Sequence, residues 1–180
     1  MKNNVIILIL LFTFQLVSAQ KLICKDGHIW FYSHTPIEDI EAHNRQVVAV
    51  LDPSTGELLF TLLIKSFEFK KELMQEHFNE NYMESDEYPK AGFKGTIENF
   101  DPGDFKADGK HEVNVSGELT IHGVTKHVSV TGALEIEGGT IKAKSDFVVK
   151  PSDYDISIPD LVKDNIAKEI EVHVEVLFKQ

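Results

Sequence analysis

A period of two runs through the C-terminal half of this chain and constrains its fold more than any other feature. From Glu112 to His122, Val113, Val115, Gly117, Leu119 and Ile121 fall on one face, and Glu112, Asn114, Ser116, Glu118 and Thr120 fall on the other. That spacing is the signature of a strand with one buried face, and it is incompatible with an amphipathic helix. After a turn near Gly123 the pattern resumes, with Val128, Val130, Gly132, Leu134 and Ile136 against His127, Ser129, Thr131 and Glu135. Gly138-Gly139 then turns the chain into Ile141, Ala143, Ser145, Phe147 and Val149, opposed by Lys142, Lys144 and Asp146. Three long strands therefore follow one another as a meander. Lys168 to Phe178 alternates most cleanly, with Ile170, Val172, Val174, Val176 and Phe178 set against Glu169, Glu171, His173 and Glu175.

The first half reads as strands at His28 to Ser33, Gln46 to Leu51, Glu57 to Ile64 and Ala91 to Asn99, with Asp52-Pro53-Ser54-Thr55-Gly56 as a turn. Leu58 to Ile64 is apolar on both faces apart from Thr61, which predicts cover on both sides. The covering element is predicted to be a helix over Lys71 to Tyr82, in which Leu73, Met74, His77, Phe78 and Tyr82 share a face. Pro89 forbids a long continuation. About eight strands joined by local turns suit a closed barrel or a two-sheet sandwich, and the strand lengths favour the barrel. The mid-strand glycines Gly117 and Gly132 fit barrel bends, or close backbone packing in a sandwich. The expected fold is all-β, an antiparallel lipocalin-like β-barrel of about eight strands with one capping helix, a size that can hold one small ligand inside.

At the N-terminus, Lys2 precedes an apolar run from Val5 to Val17, and Val17-Ser18-Ala19 supplies the small residues of a cleavage site. A bilayer span needs ~20 apolar residues. The run is thirteen residues long and is broken by Thr13 and Gln15, so residues 1–19 are expected to be a signal peptide and residues 20–180 one mature domain, periplasmic or secreted, without stable membrane insertion. Cys24 is the only cysteine, which excludes an intramolecular disulfide. It is also a poor lipidation site, because Ile23 precedes it and Lys21 separates it from the apolar run. Loss of Lys2 takes the formal net charge from −11 to −12, a balance that repels phosphate backbones and argues against nucleic acid as a partner.

Catalytic and metal-binding patterns are not apparent. None of the eight histidines belongs to a His-Glu-x-x-His helix, and one cysteine cannot build a thiolate zinc site. His122 and His127 flank a turn and could converge on a metal only with further ligands; exposed turn histidines explain them better. His77 reads as a half-buried histidine or as a polar contact to a ligand head group. No Gly-x-Ser-x-Gly elbow or phosphate-cradling glycine loop is present. The chain is therefore expected to be no enzyme and to need no metal or cofactor.

Three segments carry a family resemblance. Gly117 to Val128 (Gly-Glu-Leu-Thr-Ile-His-Gly-Val-Thr-Lys-His-Val) is similar to the hairpin signature of the YceI-like family of lipocalin-like polyisoprenoid-binding proteins. Leu73 to Asn79, followed by Tyr88-Pro89-Lys90-Ala91-Gly92-Phe93, resembles that family's helix, acidic loop and Tyr-Pro-x-x-x-Phe strand start. Asp153-Tyr154-Asp155-Ile156 precedes the final strand in the same way, so the resemblance runs from about Gly27 to the end. The chain departs from the pattern at Lys71-Glu72-Leu73-Met74 and at His34 to Ala42, where a glycine-containing second strand is more typical. The resemblance implies a bound isoprenoid or quinone-like lipid as the apolar partner. It also favours a ligand-lining role over a solid core for Trp30, Phe60, Phe67, Phe69, Met74, Phe78, Phe93 and Phe147.

Overall fold

The structure is a computed structural model that describes residues 20–103, 105 and 107–179; the expected signal peptide, residues 1–19, lies outside them. Nine strands are present among the described residues: β1 (Leu22–His34), β2 (Asp39–Leu51), β3 (Glu57–Leu63), β4 (Glu68–Phe69), β5 (Lys90–Ile97), β6 (Gly109–Ile121), β7 (Val124–Glu137), β8 (Thr140–Val149) and β9 (Ile170–Lys179). Eight of them form one antiparallel ring, β1-β2-β3-β5-β6-β7-β8-β9, closed because β1 pairs with both β2 and β9. Strand β4 is a two-residue appendage on β2, with Ala42 opposite Phe69.

Short-range chemistry sets most of the corners. Asp52 accepts hydrogen bonds from the Ser54 backbone N–H (2.9 Å) and its hydroxyl, and this Asx turn joins β2 to β3. Gly138 and Gly139 both adopt positive φ (53° and 83°), the backbone a two-residue hairpin turn demands between β7 and β8. Between β1 and β2, the Thr35 hydroxyl accepts from the N–H groups of Ile37 and Glu38 (3.2 and 3.0 Å), so the atypical His34 to Ala42 stretch is a tight hairpin leading directly into β2.

Strands β1 and β2 are longer than the alternation predicts, for identifiable reasons. The register of β1 against β2 shifts between Cys24 and Gly27 and again between Gly27 and Ile29, and such bulges erase the period of two. In β2, Asn44 points inward although polar and is fully buried; its amide donates to the Leu63 carbonyl (2.9 Å) and its Oδ1 accepts from the Gln46 N–H (3.0 Å).

The predicted helix is observed as a six-residue α-helix, α1 (Glu72–His77), continued by a π-helical turn from Phe78 to Tyr82. It sits over one end of the barrel and does not cover β3, so the expectation of cover on both faces of Leu58 to Ile64 is overturned. Leu58 and Leu62 are buried inside, while Leu59 and Leu63 stand on the outer face, 44% and 47% exposed. A closed ring buries only its concave side, and among the described residues nothing is layered on the outer Leu59 and Leu63 of β3.

The interior is divided lengthwise. Toward the end carrying the 52–56 turn and the β7–β8 hairpin, Leu51, Ile141, Val176 and Phe178 are fully or almost fully buried and pack with Ile136 and Phe105 into a solid plug. The opposite half is walled by Ala42, Val47, Leu62, Ile64, Phe67 and Met83, with Phe31, Phe69 and Phe78 packed against them. The candidate site lies in that half.

Candidate functional site

A cavity of about 400 Å³ occupies the open half of the barrel. The inward parity of each strand builds its walls: Ile29 and Phe31 from β1, Phe60 and Leu62 from β3, Phe93 and Ile97 from β5, Val113 to Ile121 from β6, Val128 to Leu134 from β7, and Val172 and Val174 from β9. Gly132, on the inward face of β7, contributes no side chain and widens the bore. Volume and lining match the general character of small-molecule pockets, which are concave and mostly apolar with few polar groups.

Two elements cover the mouth. One is α1 with its π turn, which supplies Met74, His77, Phe78 and Tyr82. Bonding with a stride of five, as in the Met83 N–H donated to the Phe78 carbonyl (2.9 Å), widens that turn and directs Phe78 and Tyr82 inward. Burial raises the Tyr82 phenol above its ordinary pKa. The other cover is the strap between Pro151 and β9, which contributes Ile156, Ile158, Val162, Asn165 and Ile166. Four phenylalanines lock under the first cover, with Phe78 lying 5.5, 5.6 and 5.0 Å from Phe31, Phe67 and Phe69.

Glu38 joins the two covers. Its Oε1 accepts from Lys71 Nζ at the start of α1 (2.9 Å), and its Oε2 accepts from the Asn165 amide on the strap (3.3 Å). The Lys71 ammonium first, then Asn165, holds its carboxyl below the usual pKa. Nearby, the Ala167 N–H donates to the buried Ser33 hydroxyl at 2.9 Å and ties the strap to β1.

Of the eight predicted ligand-lining residues, the structure brings Phe60, Phe67, Phe69, Met74, Phe78, Phe93 and Phe147 to the cavity. Trp30 is not among the lining residues, which corrects that expectation. It shares the outward face of β1 with His28 and Tyr32, stacked on His28 (4.5 Å) and on His173 of β9 (5.0 Å). The same strand's inward residue, Phe31, lines the cavity in its place. Leu73 is corrected too: it is 60% exposed, because the short helix turns its Met74, Phe78 and Tyr82 stripe inward and leaves Leu73 off that stripe. The strap residues carry no periodic signal in the sequence, which is why the expectations above do not include them.

The outer face of β1 and β2 carries a polar relay. Arg45 Nη1 donates to His28 Nδ1 (3.3 Å), so His28 Nε2 carries the proton and donates to His43 Nδ1 (3.0 Å), and His43 Nε2 faces Glu41 at 3.3 Å. Burial, then Arg45 and His43, holds His28 below the ordinary histidine pKa. His122, expected on the surface, is buried instead. Its positive φ of 50° folds the ring under the β6–β7 turn, where Nδ1 donates to the Tyr154 carbonyl (3.1 Å) and Nε2 lies 2.9 Å from Glu84. His127 stays exposed, so the two do not converge. Among the described residues, no group of three or more His, Cys, Asp or Glu side chains is placed to hold a metal ion. Nor, among those residues, is any helix long and apolar enough to cross a membrane.

A closed eight-stranded antiparallel ring with an apolar interior under a helical cap defines a lipocalin-like β-barrel. Residues 25–178 match the model of the YceI-like domain, and the chain belongs to that family. No curated protein matches it. Among solved structures, a polyisoprenoid binding domain from Saccharophagus degradans implicated in plant cell wall breakdown superposes with a TM-score of 0.76 at 14% identity, covering 88% of this chain and 97% of its own. Burkholderia cenocepacia BcnA gives a TM-score of 0.70 at 18% identity, covering 84% and 95%. The Campylobacter jejuni YCEI protein gives 0.62 at 20% identity, covering 82% and 89%. At these identities the likeness shows the fold.

Proposed function

We propose that this chain is an exported carrier or reservoir that binds one elongated, uncharged apolar molecule, an isoprenoid or isoprenoid quinone, in the barrel, and that it acts by binding and not by catalysis. The apolar cavity of about 400 Å³ beneath two covers carries this reading. Burying hydrocarbon contributes ~25 cal/mol per Å² removed from water, so such a ligand binds tightly without a charged contact. At the mouth, Glu38, the one lining carboxylate among the described residues, is already engaged by Lys71 and Asn165, which suits a neutral head group better than a pyrophosphate. The likeness to a polyisoprenoid binding domain, that of Saccharophagus degradans, supports the same ligand class here.

Native mass spectrometry of the protein purified from its own host, followed by organic extraction, is the test. The expected result is one apolar molecule per chain. A chain that neither carries nor takes up any apolar molecule would sink the reading. The export component is checked by N-terminal sequencing of the mature form, which is expected to begin at Gln20 outside the cytoplasm.

A further inference from the structure

The barrel also sets how much of a chain it can shelter. Its floor is the solid plug: the cavity reaches Leu58, Ile97, Val113 and Leu134, and does not reach Leu51, Ile136, Ile141 or Phe178 beyond them. The depth of the space above that floor is read along β6. On β6 the cavity runs from Val113 to Ile121, eight residue steps. At about 3.4 Å per residue and a strand tilt of about 40°, those steps amount to roughly 20 Å along the barrel axis. A fully extended chain advances about 1.2 Å per bond, so 20 Å takes about seventeen bonds, or four isoprene units of four main-chain bonds each.

Resting on the carrier reading, we infer that the site shelters a single extended apolar chain of about twenty carbons, four isoprene units, with its tail against the Val113–Leu134 floor and its head at the Glu38–Asn165 mouth. The length argument applies equally to a prenyl chain and to a straight alkyl chain. A longer chain leaves its remainder in water outside the covers.

The test is transfer of prenyl alcohols of two, three, four, six and nine isoprene units, together with 1-hexadecanol, from phosphatidylcholine vesicles to the full mature protein. Vesicles shelter every carbon of every alcohol, so only the protein discriminates by length. Transfer is expected to hold up to four units and then to fall at least tenfold for each further unit, because each exposed carbon forfeits its burial. Transfer of hexadecanol on a par with the four-unit alcohol is expected, since both have about the same length, and its exclusion overturns length as what sets the limit. Ala143→Phe places a ring into the cavity wall next to Leu134 and is expected to lower the cutoff by about one unit, with a melt confirming the fold. Equal or better transfer of the six- and nine-unit alcohols overturns the limit and leaves the carrier reading standing, and an unshifted cutoff in a folded Ala143→Phe variant overturns the position of the floor. Transfer of none of the alcohols overturns the inference together with the carrier reading on which it rests.

Discussion

Gly117→Ala probes the wall of the site with a single methyl group. Gly117 of β6 lies directly opposite Gly95 of β5, and both face the interior. A β-carbon on Gly117 would come within 2.4 Å of Gly95 Cα and 2.4 Å of the Lys94 carbonyl oxygen. Ordinary van der Waals contact begins about 1 Å further out, and the atoms in the way are backbone, so no rotamer change relieves the clash. The two strands must part where they are hydrogen-bonded. Overpacking of this kind costs about 1–3 kcal/mol, and immovable neighbours place this site at the upper end, about 3 kcal/mol. For a domain of this size, each kcal/mol lowers Tm by about 2–4 °C, so the expected loss is about 6–12 °C in a far-UV circular dichroism melt. Gly132→Ala gives the graded comparison: its nearest backbone atom, the Lys144 carbonyl oxygen, is 3.0 Å away and needs a shift of only a few tenths of an ångström. Its loss is expected to be about 1 kcal/mol. A Gly117→Ala protein melting within about 2 °C of the parent, or less perturbed than Gly132→Ala, would refute the close approach of β5 and β6.

Phe78→Asp puts a carboxylate among Phe31, Phe67 and Phe69, and Met74→Lys puts an ammonium at the mouth; both are expected to weaken apolar ligand binding at least tenfold, read by mass spectrometry of the loaded protein, with retention of the same lipid in a folded variant counting against the cover. Acidification is expected to destabilise the fold through His28. Its folded pKa lies below the ordinary 6.5, so as pH falls below 6.5 the unfolded chain takes up the proton first and stability declines until the folded pKa is passed. His28→Asn is expected to flatten that part of a Tm-against-pH curve, and an unchanged slope would remove His28 as its source. Chelation with EDTA is expected to leave Tm unchanged, and a large loss together with a stoichiometric metal would reveal a ligand set absent from the described residues.

The ring of strands was legible wherever one face meets solvent and the other the interior, because alternation then records the sidedness of the wall, as in β6 to β9. It was illegible where a bulge or a buried polar residue broke the count, as at Cys24 to Ile29 and at Asn44. Seven of the eight proposed lining residues reach the cavity because a one-layered wall buries large apolar side chains only on its inner face, while those outside, such as Leu59 and Leu63, stay half exposed. Trp30 failed that rule because its ring is shielded by stacking on the outer histidines, a cross-strand contact that depends on β1 lying beside β9. The strap between Pro151 and β9 left no signal, since its apolar residues answer to the shape of the mouth and not to any repeat.

The closure of β1 on β9 has a temporal consequence. His28 pairs with Glu175 and Tyr32 with Glu171, partners separated by almost the whole described chain. Contacts of such long range form late and slowly, because the loop entropy must be lost before the contact returns anything. Until β9 docks, the nascent wall is an open, curled sheet with two unpaired edges and no enclosed volume. In the proposed carrier, loading would therefore follow the docking of β9, and a product cut short before residue 170 would have no enclosed volume and two bare strand edges with which to aggregate.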